Sequence, residues 1–222
     1  MSRTNHHAQP TADLTRAGQL IQWLRDYADQ RLNSRLIDER RTIPPSVVLD
    51  FGNRGLLGMH TSEQYGGLGL SIGETLRVLQ QIAAIDLTLA IFTATNILAA
   101  RLIERHAQPA LRNELLPHLA RGRELAAFAV TEPGAGSNPA AITTRAIPDG
   151  QGGWRLTGAK QWIGSAAWAG AINVFAQRYD SSGAPLGMAG FVVRQGAPGL
   201  EIGPEALTMG LRGMVQNTLH LH

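Results

Sequence analysis

The sequence predicts an α+β protein in which an all-helical N-terminal domain precedes a small antiparallel β-sheet or barrel domain. Composition changes near residue 124: residues 1–124 hold 26 of the 37 charged residues, and residues 125–222 hold 16 of the 25 glycines. Apolar residues recur at helical spacing in the first part, and short apolar runs between turn residues fill the second. We therefore predict a disordered tail at 1–12, a helical domain at 13–124 and a β domain at 125–222.

The first predicted helix runs from about residue 12 to about residue 37. Its apolar stripe recurs at three- and four-residue steps and consists of Leu14, Ala17, Ile21, Leu24 and Ala28. A second helix begins at Pro44-Pro45, because proline is tolerated in a first helical turn, and Gly55 ends it.

Three further helices follow a glycine-rich loop at 65–69. Ser71 and Glu74 have the spacing of a capping box, which predicts a helix start. That helix has apolar residues at helical spacing, namely Leu76, Leu79 and Ile82. The next helix covers 87–106, and a short one covers 109–122.

After residue 124 the pattern is typical of short strands. The candidates are residues 125–130, 142–147, 154–157, 172–178, 188–194, 207–211 and 215–221. Turn residues separate several of them, as at Asp149-Gly150 and at 180–183. Such a series predicts a small antiparallel sheet or barrel.

Composition excludes several classes of protein. The net charge is only +3 and there is no cysteine, so we predict neither a nucleic-acid-binding surface nor a disulfide scaffold or thiolate zinc site. His220 and His222 alternate on a candidate strand, but two histidines without a third ligand do not predict a metal site.

Residues 1–12 lack the apolar run of a signal peptide, and polar residues interrupt the longest apolar stretch, 83–100. A cytoplasmic protein without a membrane span is therefore expected.

The most informative segment is a strand that runs into a turn of small residues, Phe-Ala-Val-Thr-Glu-Pro-Gly-Ala-Gly-Ser at 128–137. Gly134 and Gly136 allow a ligand to approach the backbone amides, and Thr131 and Ser137 add hydroxyl groups. Such a turn suits a phosphate, a ribityl chain or the edge of a flavin. It matches neither a dinucleotide-binding fingerprint nor a P-loop, and an ordinary glycine turn is the alternative interpretation.

A second segment, Leu-Thr-Gly-Ala-Lys-Gln-Trp-Ile-Gly-Ser at 156–165, contains Lys160, the only lysine among 20 basic residues. Its Trp162 is a candidate for stacking on an aromatic cofactor. The alternative interpretation is a core tryptophan within the predicted sheet.

Together these two segments resemble the signatures of the acyl-CoA dehydrogenases, a family of flavoenzymes. Residues 131–137 resemble the first family signature, and residues 158–163 resemble the second at the expected distance. Three further segments resemble the family, at residues 55–69, 115–122 and 209–213. The resemblance therefore covers about residues 12–222.

The resemblance implies a fold and a reaction. Family members have a helical N-terminal domain, a β middle domain and a C-terminal four-helix domain, with FAD between the last two. The reaction removes two hydrogens from an acyl thioester: a carboxylate takes the α-proton, and the β-hydrogen goes to flavin N5 as hydride. We expect the four-helix domain to be absent from these 222 residues, and we assign no catalytic residue because that domain usually supplies the base.

The implied partners are an acyl thioester substrate and an electron acceptor, either a flavoprotein or oxygen. A homo-oligomer is implied when the C-terminal domain is present. Three questions stay open at this point. They are the identity of the acyl chain, whether the carrier is coenzyme A or a carrier protein, and whether the enzyme is a dehydrogenase or an oxidase.

The resemblance also implies which residues border FAD. They are Phe128, Ala129, Val130, Thr131, Gly136, Ser137, Trp162, Ile163 and Gly164. Ser137 is also implied to contact the substrate.

The family commonly has Thr or Ser at the position of Gly164, and a glycine offers no hydroxyl to flavin N5. A non-catalytic relative that binds flavin or acyl thioester, or a scaffold, is therefore the alternative hypothesis.

Overall fold

The computed structural model describes residues 15–222, so the predicted tail at 1–12 and Leu14 of the first stripe lie outside the described residues. Helices come first in this part of the chain and strands follow, which confirms the predicted α+β order. The helices are α1 (Arg16–Arg31), α2 (Ser34–Arg40), α3 (Pro45–Asn53), α4 (Ile72–Ile85), α5 (Leu87–His106) and α6 (Pro109–Ala120). The strands are β1 (Ala126–Ala129), β2 (Arg145–Pro148), β3 (Trp154–Gly164), β4 (Ala171–Tyr179), β5 (Pro185–Arg194), β6 (Leu200–Glu205) and β7 (Gln216–Leu221).

The first helix differs from its prediction, because residues 16–40 form two helices rather than one. Leu32 is extended and ends α1. The Asn33 side chain accepts a hydrogen bond from the Leu36 amide at 3.0 Å, which begins α2. A side-chain cap of this kind competes with continuation of the helix, and an apolar stripe alone does not reveal it.

Two polar residues determine where α4 and α5 begin. The capping box predicted at Ser71 and Glu74 is confirmed, and the Glu74 amide donates to Ser71 Oγ at 3.3 Å. Asp86 ends α4 and caps α5, because its carboxylate accepts from the Leu89 amide at 2.9 Å. Of the predicted α4 stripe, Leu76 is 56% exposed and lies outside the buried face.

Helix α5 joins the two parts of the structure. By length and composition alone it could cross a membrane, yet 56% of its most apolar window is buried inside the protein. The Asn96 side chain accepts from the Ala126 amide at 2.9 Å and donates to the Phe92 carbonyl at 2.9 Å. Asn173 of β4 donates to the Ala99 carbonyl at 3.0 Å. Both asparagines are buried, so two hydrogen-bonded side-chain amides hold the sheet against the helix.

The strands form a mixed sheet in the order β1-β4-β2-β3-β7-β6, and β5 also pairs with β4. Strands β1 and β2 lie parallel to β4 and differ in this from the predicted antiparallel sheet, whereas the other paired strands are antiparallel as predicted. The strand predicted at 207–211 is wrong, and the pattern does not predict β6. The predicted strand at 154–157 is longer in the structure and continues to Gly164 as β3.

Residues 206–215, which we call the clamp loop, are held by the helices instead of forming the predicted strand. Arg41 Nη1 donates to the Thr208 carbonyl at 3.2 Å. The Ile43 amide donates to the Gly213 carbonyl at 3.0 Å. These bonds join the clamp loop to the helical part of the chain instead of to a neighbouring strand.

We expect Asn96→Ala to destabilise the protein by about 1–3 kcal/mol, because the Ala126 amide would stay buried without its acceptor. Urea unfolding followed by circular dichroism measures this change. Thr95→Ala is the matched control, since the Thr95 hydroxyl donates to the Ile91 carbonyl within the same helix. The control should change the free energy of unfolding by no more than about 0.5 kcal/mol. Equal losses for the two variants would contradict a joining role for Asn96.

Candidate functional site

The two motif segments lie side by side in the structure. After β1, residues 130–137 continue as a turn beside the middle of β3, and we call this segment the glycine turn. The Gln161 amide donates to the Thr131 carbonyl at 2.9 Å, which joins β3 to the glycine turn. Glu132 and Ala135 exchange two backbone hydrogen bonds of 3.1 Å, and these bonds close the turn.

The outer side of the glycine turn is open. Gly134, Gly136 and Ser137 are exposed, and a side-chain carbon added at either glycine would meet no protein atom within 4 Å. The packing of the protein itself therefore does not require glycine at these two positions. Close approach of a ligand to the backbone is a physical reason for having it.

Beneath the turn, Glu132 and Lys160 form a buried ion pair. Lys160 Nζ lies 2.7 Å from Glu132 Oε1, and the side chains are 0% and 3% exposed. Thr143 donates to Glu132 Oε2 through its amide at 2.6 Å and its hydroxyl at 2.8 Å. Thr144 donates to Oε1 through its amide at 3.0 Å and also through its hydroxyl. Both carboxylate oxygens are satisfied, which a buried ion pair requires in order to be stable. We call these four residues the Glu132 hub.

The Glu132 hub keeps its carboxylate ionised. Burial raises the pKa of a carboxyl group, but hydrogen bonds from Lys160, Thr144 and Thr143 outweigh burial and lower the pKa of Glu132 to about 2. Burial lowers the pKa of Lys160, and the bond to Glu132 offsets part of that change. A buried carboxylate with so low a pKa is a poor general base at neutral pH. Glu132 therefore acts as a structural anion.

Trp162 projects from a bulge in β3. The register between β3 and β7 shifts between Lys160 and Ile163, and Trp162 has a φ of 60°. This left-handed conformation is strained for a bulky side chain. Trp162 is 51% exposed, so it is not the core residue of the alternative interpretation. A strained bulge that exposes an aromatic ring favours a binding role.

The predicted cofactor residues differ in how much of each reaches the surface. Ala129 and Ile163 are buried, so only their backbones are candidates for ligand contact. Phe128 is partly buried and lies edge-on to Phe175, with the ring centroids 5.4 Å apart. The predicted residues that retain exposure are Phe128, Val130, Thr131, Gly136, Ser137, Trp162 and Gly164. Of these, Thr131 is joined to the bulge of β3 by the bond from the Gln161 amide to its carbonyl.

Three features of the site are not apparent from the residue pattern. Thr143 and Thr144 precede β2 and give no sign that they donate to Glu132. Met214 of the clamp loop lies over Gly164, so that a side-chain carbon added at Gly164 would be 3.0 Å from Met214 Cε. The bulge at Trp162 is the third. The one indirect sequence signal at the hub is Lys160, the single lysine of a chain that otherwise uses arginine.

Comparison with known proteins gives the same family for both parts of the chain. A family model described as acyl-CoA dehydrogenase, N-terminal domain, matches residues 16–123. A model described as acyl-CoA dehydrogenase, middle domain, matches residues 127–222.

Named relatives agree with these models. Cyclohex-1-ene-1-carbonyl-CoA dehydrogenase of Syntrophus aciditrophicus is 33% identical over 203 residues, which cover 90% of this chain and 49% of the relative. A probable acyl-CoA dehydrogenase of Mycobacterium tuberculosis is 30% identical over 187 residues, which cover 83% of this chain and 47% of the relative. The chain thus spans about half the length of the curated relatives it matches.

A solved structure supports the fold. The glutaryl-CoA dehydrogenase of Mycobacterium smegmatis, crystallised in complex with FADH2, superposes with a TM-score of 0.84 at 32% identity. The match covers 93% of this chain and 52% of that one.

The hub predicts a strong asymmetry between single and double variants. Glu132→Gln leaves the Lys160 ammonium buried without a counter-charge and should cost about 3–5 kcal/mol of unfolding free energy. Glu132→Gln combined with Lys160→Met removes both charges and should cost less than the single change. Urea unfolding at pH 7 measures both values. A double variant at least as unstable as Glu132→Gln would show that the pair does not act as a unit.

The hub also predicts acid sensitivity. The pKa of Glu132 is about 2 in the folded protein against 4.5 for an ordinary glutamate, so the unfolded chain binds more protons between these pH values. The stabilisation is complete above about pH 4.5 and is lost as the pH falls towards 2, by about 3 kcal/mol. Unfolding free energies measured from pH 6 to pH 2 test this. The double variant Glu132→Gln/Lys160→Met should lose less stability over the same interval, and equal slopes would contradict the assignment.

Proposed function

The chain belongs to the acyl-CoA dehydrogenase family, and from this premise we propose that the protein uses FAD to introduce an α,β double bond into an acyl thioester. The observation that carries the proposal is the exposed, strained Trp162 beside the open glycine turn, because this surface offers both an aromatic face and backbone amides. The FADH2 complex of the relative from Mycobacterium smegmatis supports the choice of cofactor.

The surface suits a large planar cofactor. We propose that FAD is bordered by Phe128, Ala129, Val130, Thr131, Gly136, Ser137, Trp162, Ile163 and Gly164. Bound FAD would supply the hydride acceptor for the reaction. Trp162 would cover one part of the ring system, the Thr131 hydroxyl would donate to its polar edge, and the Ser137 hydroxyl would bind the thioester carrier. The Glu132 hub lies beneath and holds the glycine turn in place, because it connects the turn to β3 through Lys160 and Val130.

Coenzyme A is the carrier that we favour. The names of the relatives from Syntrophus aciditrophicus and Mycobacterium smegmatis both specify coenzyme A thioesters. Removal of hydride and proton from the acyl chain transfers two electrons to the cofactor, so a flavoprotein or oxygen must accept them afterwards. A cytoplasmic location and a homo-oligomeric assembly belong to the same proposal.

A non-catalytic relative that binds flavin or acyl thioester is the second candidate. Gly164 favours it, because a glycine provides no hydroxyl beside the cofactor. Conversion of butyryl-CoA to the 2-enoyl thioester in the presence of FAD and an electron-accepting dye separates the two candidates. Turnover would contradict the second candidate.

We expect Trp162→Ala to weaken FAD binding by about 3- to 10-fold, because the variant loses an aromatic contact of roughly 0.5–1.5 kcal/mol. Quenching of FAD fluorescence at equilibrium measures the dissociation constant. Trp154→Ala is the matched control, since Trp154 is also a partly exposed tryptophan of β3 but lies at its other end beside Phe191. The control should bind FAD like the unchanged protein. Absence of saturable binding by the unchanged protein, or equal losses in both variants, would contradict the proposed site.

A further inference from the structure

Gly164, two residues after Trp162 in β3, makes an unusually close contact with the clamp loop. Ile163 is 2% exposed and points into the sheet core, and Gly164, the next residue after the bulge, faces the opposite side. A side-chain carbon built at Gly164 would lie 3.0 Å from Met214 Cε and 3.4 Å from Met214 Sδ. Gly164 does not have a positive φ, so its backbone accepts other residues and only Met214 opposes them.

Met214 is held firmly in that position. Its side chain is part of the helical core and the residue is 4% exposed. Its amide donates to the Leu211 carbonyl at 3.1 Å, and the next carbonyl, of Val215, accepts from the Ser165 amide at 2.8 Å. The backbone around Met214 is therefore bonded on both sides, so any adjustment to a side chain at Gly164 must come from the buried thioether.

We propose that Met214 is a positioning residue for the cofactor surface: it fills the space beside Gly164 that a side chain would need, so that a bound cofactor meets backbone there instead of a hydroxyl. This inference rests on the proposed function for its cofactor part only. The steric part concerns the protein without any ligand. Methionine suits such a place because its unbranched, polarisable thioether fills irregular gaps and makes favourable contacts with aromatic rings.

The steric part is tested by thermal unfolding of the 222-residue chain without FAD. Gly164→Ala should lower the melting temperature by about 2–10 °C, because it overpacks the contact with Met214. Met214→Ala should lower the melting temperature as well, because it leaves a cavity. In the Met214→Ala background, however, Gly164→Ala should cost nothing or restore part of the loss. Equal costs in both backgrounds would overturn the proposal, and Met214→Val replaces Met214→Ala if that variant does not fold.

The cofactor part is tested by FAD binding, with Gly164→Ala as the control for Gly164→Ser. In the Met214→Ala background, Gly164→Ser should bind FAD about 2- to 10-fold more tightly than Gly164→Ala, because only serine adds a hydroxyl. The absorption band of bound flavin should shift in the serine variant alone. Equal affinities and spectra in variants that bind FAD would overturn the cofactor part. If no variant binds FAD while the melting temperatures show the coupling, the proposed function fails and the steric role of Met214 stands.

Discussion

The buried ion pair between Glu132 and Lys160 is the interaction on which the rest of the site depends. Three separate segments meet at it: the glycine turn after β1, the two threonines before β2, and the middle of β3. Two charges inside a protein are costly unless every oxygen and proton is satisfied, and here the threonine amides and hydroxyls complete the carboxylate. Because two of the donors are backbone amides, the pair determines where the turn lies and which of its groups face outwards.

The helical part of the chain also contributes to the proposed cofactor surface. Helix α5 is fastened to the sheet by Asn96 and Asn173, and the clamp loop returns from the sheet to the helices at Arg41 and Ile43. Met214 belongs to the helical core and yet covers a position of β3. One side of the proposed cofactor surface is thus built by the sheet, and its packing depends on the helices.

The sequence predicts those parts of the fold that follow from local chemistry. The capping box at Ser71 and the extent of α5 are visible because caps and apolar spacing act within a few residues. The division of the first helix at Asn33 depends on one side-chain cap inside an apolar pattern. The 207–211 segment has the composition of a strand, but its partners come from residues more than 160 positions away.

In the site, too, the sequence predicts local segments but not contacts between distant residues. The motifs at 131–137 and 158–163 identify the two segments, whereas the bulge at Trp162 arises from a shift in pairing with β7, which lies more than 50 residues further along the chain. No local pattern encodes such a shift. The contact between Gly164 and Met214 depends likewise on the clamp loop, and only the tertiary structure brings them together.

The interior position of Lys160 also has a consequence for the chemical reactivity of the protein. It is the only lysine in the sequence and its side chain is 0% exposed. An amine-reactive reagent therefore finds no lysine on the folded surface, and acylation of Lys160 requires the glycine turn to open. The rate of that labelling reports local opening at this one place in the molecule.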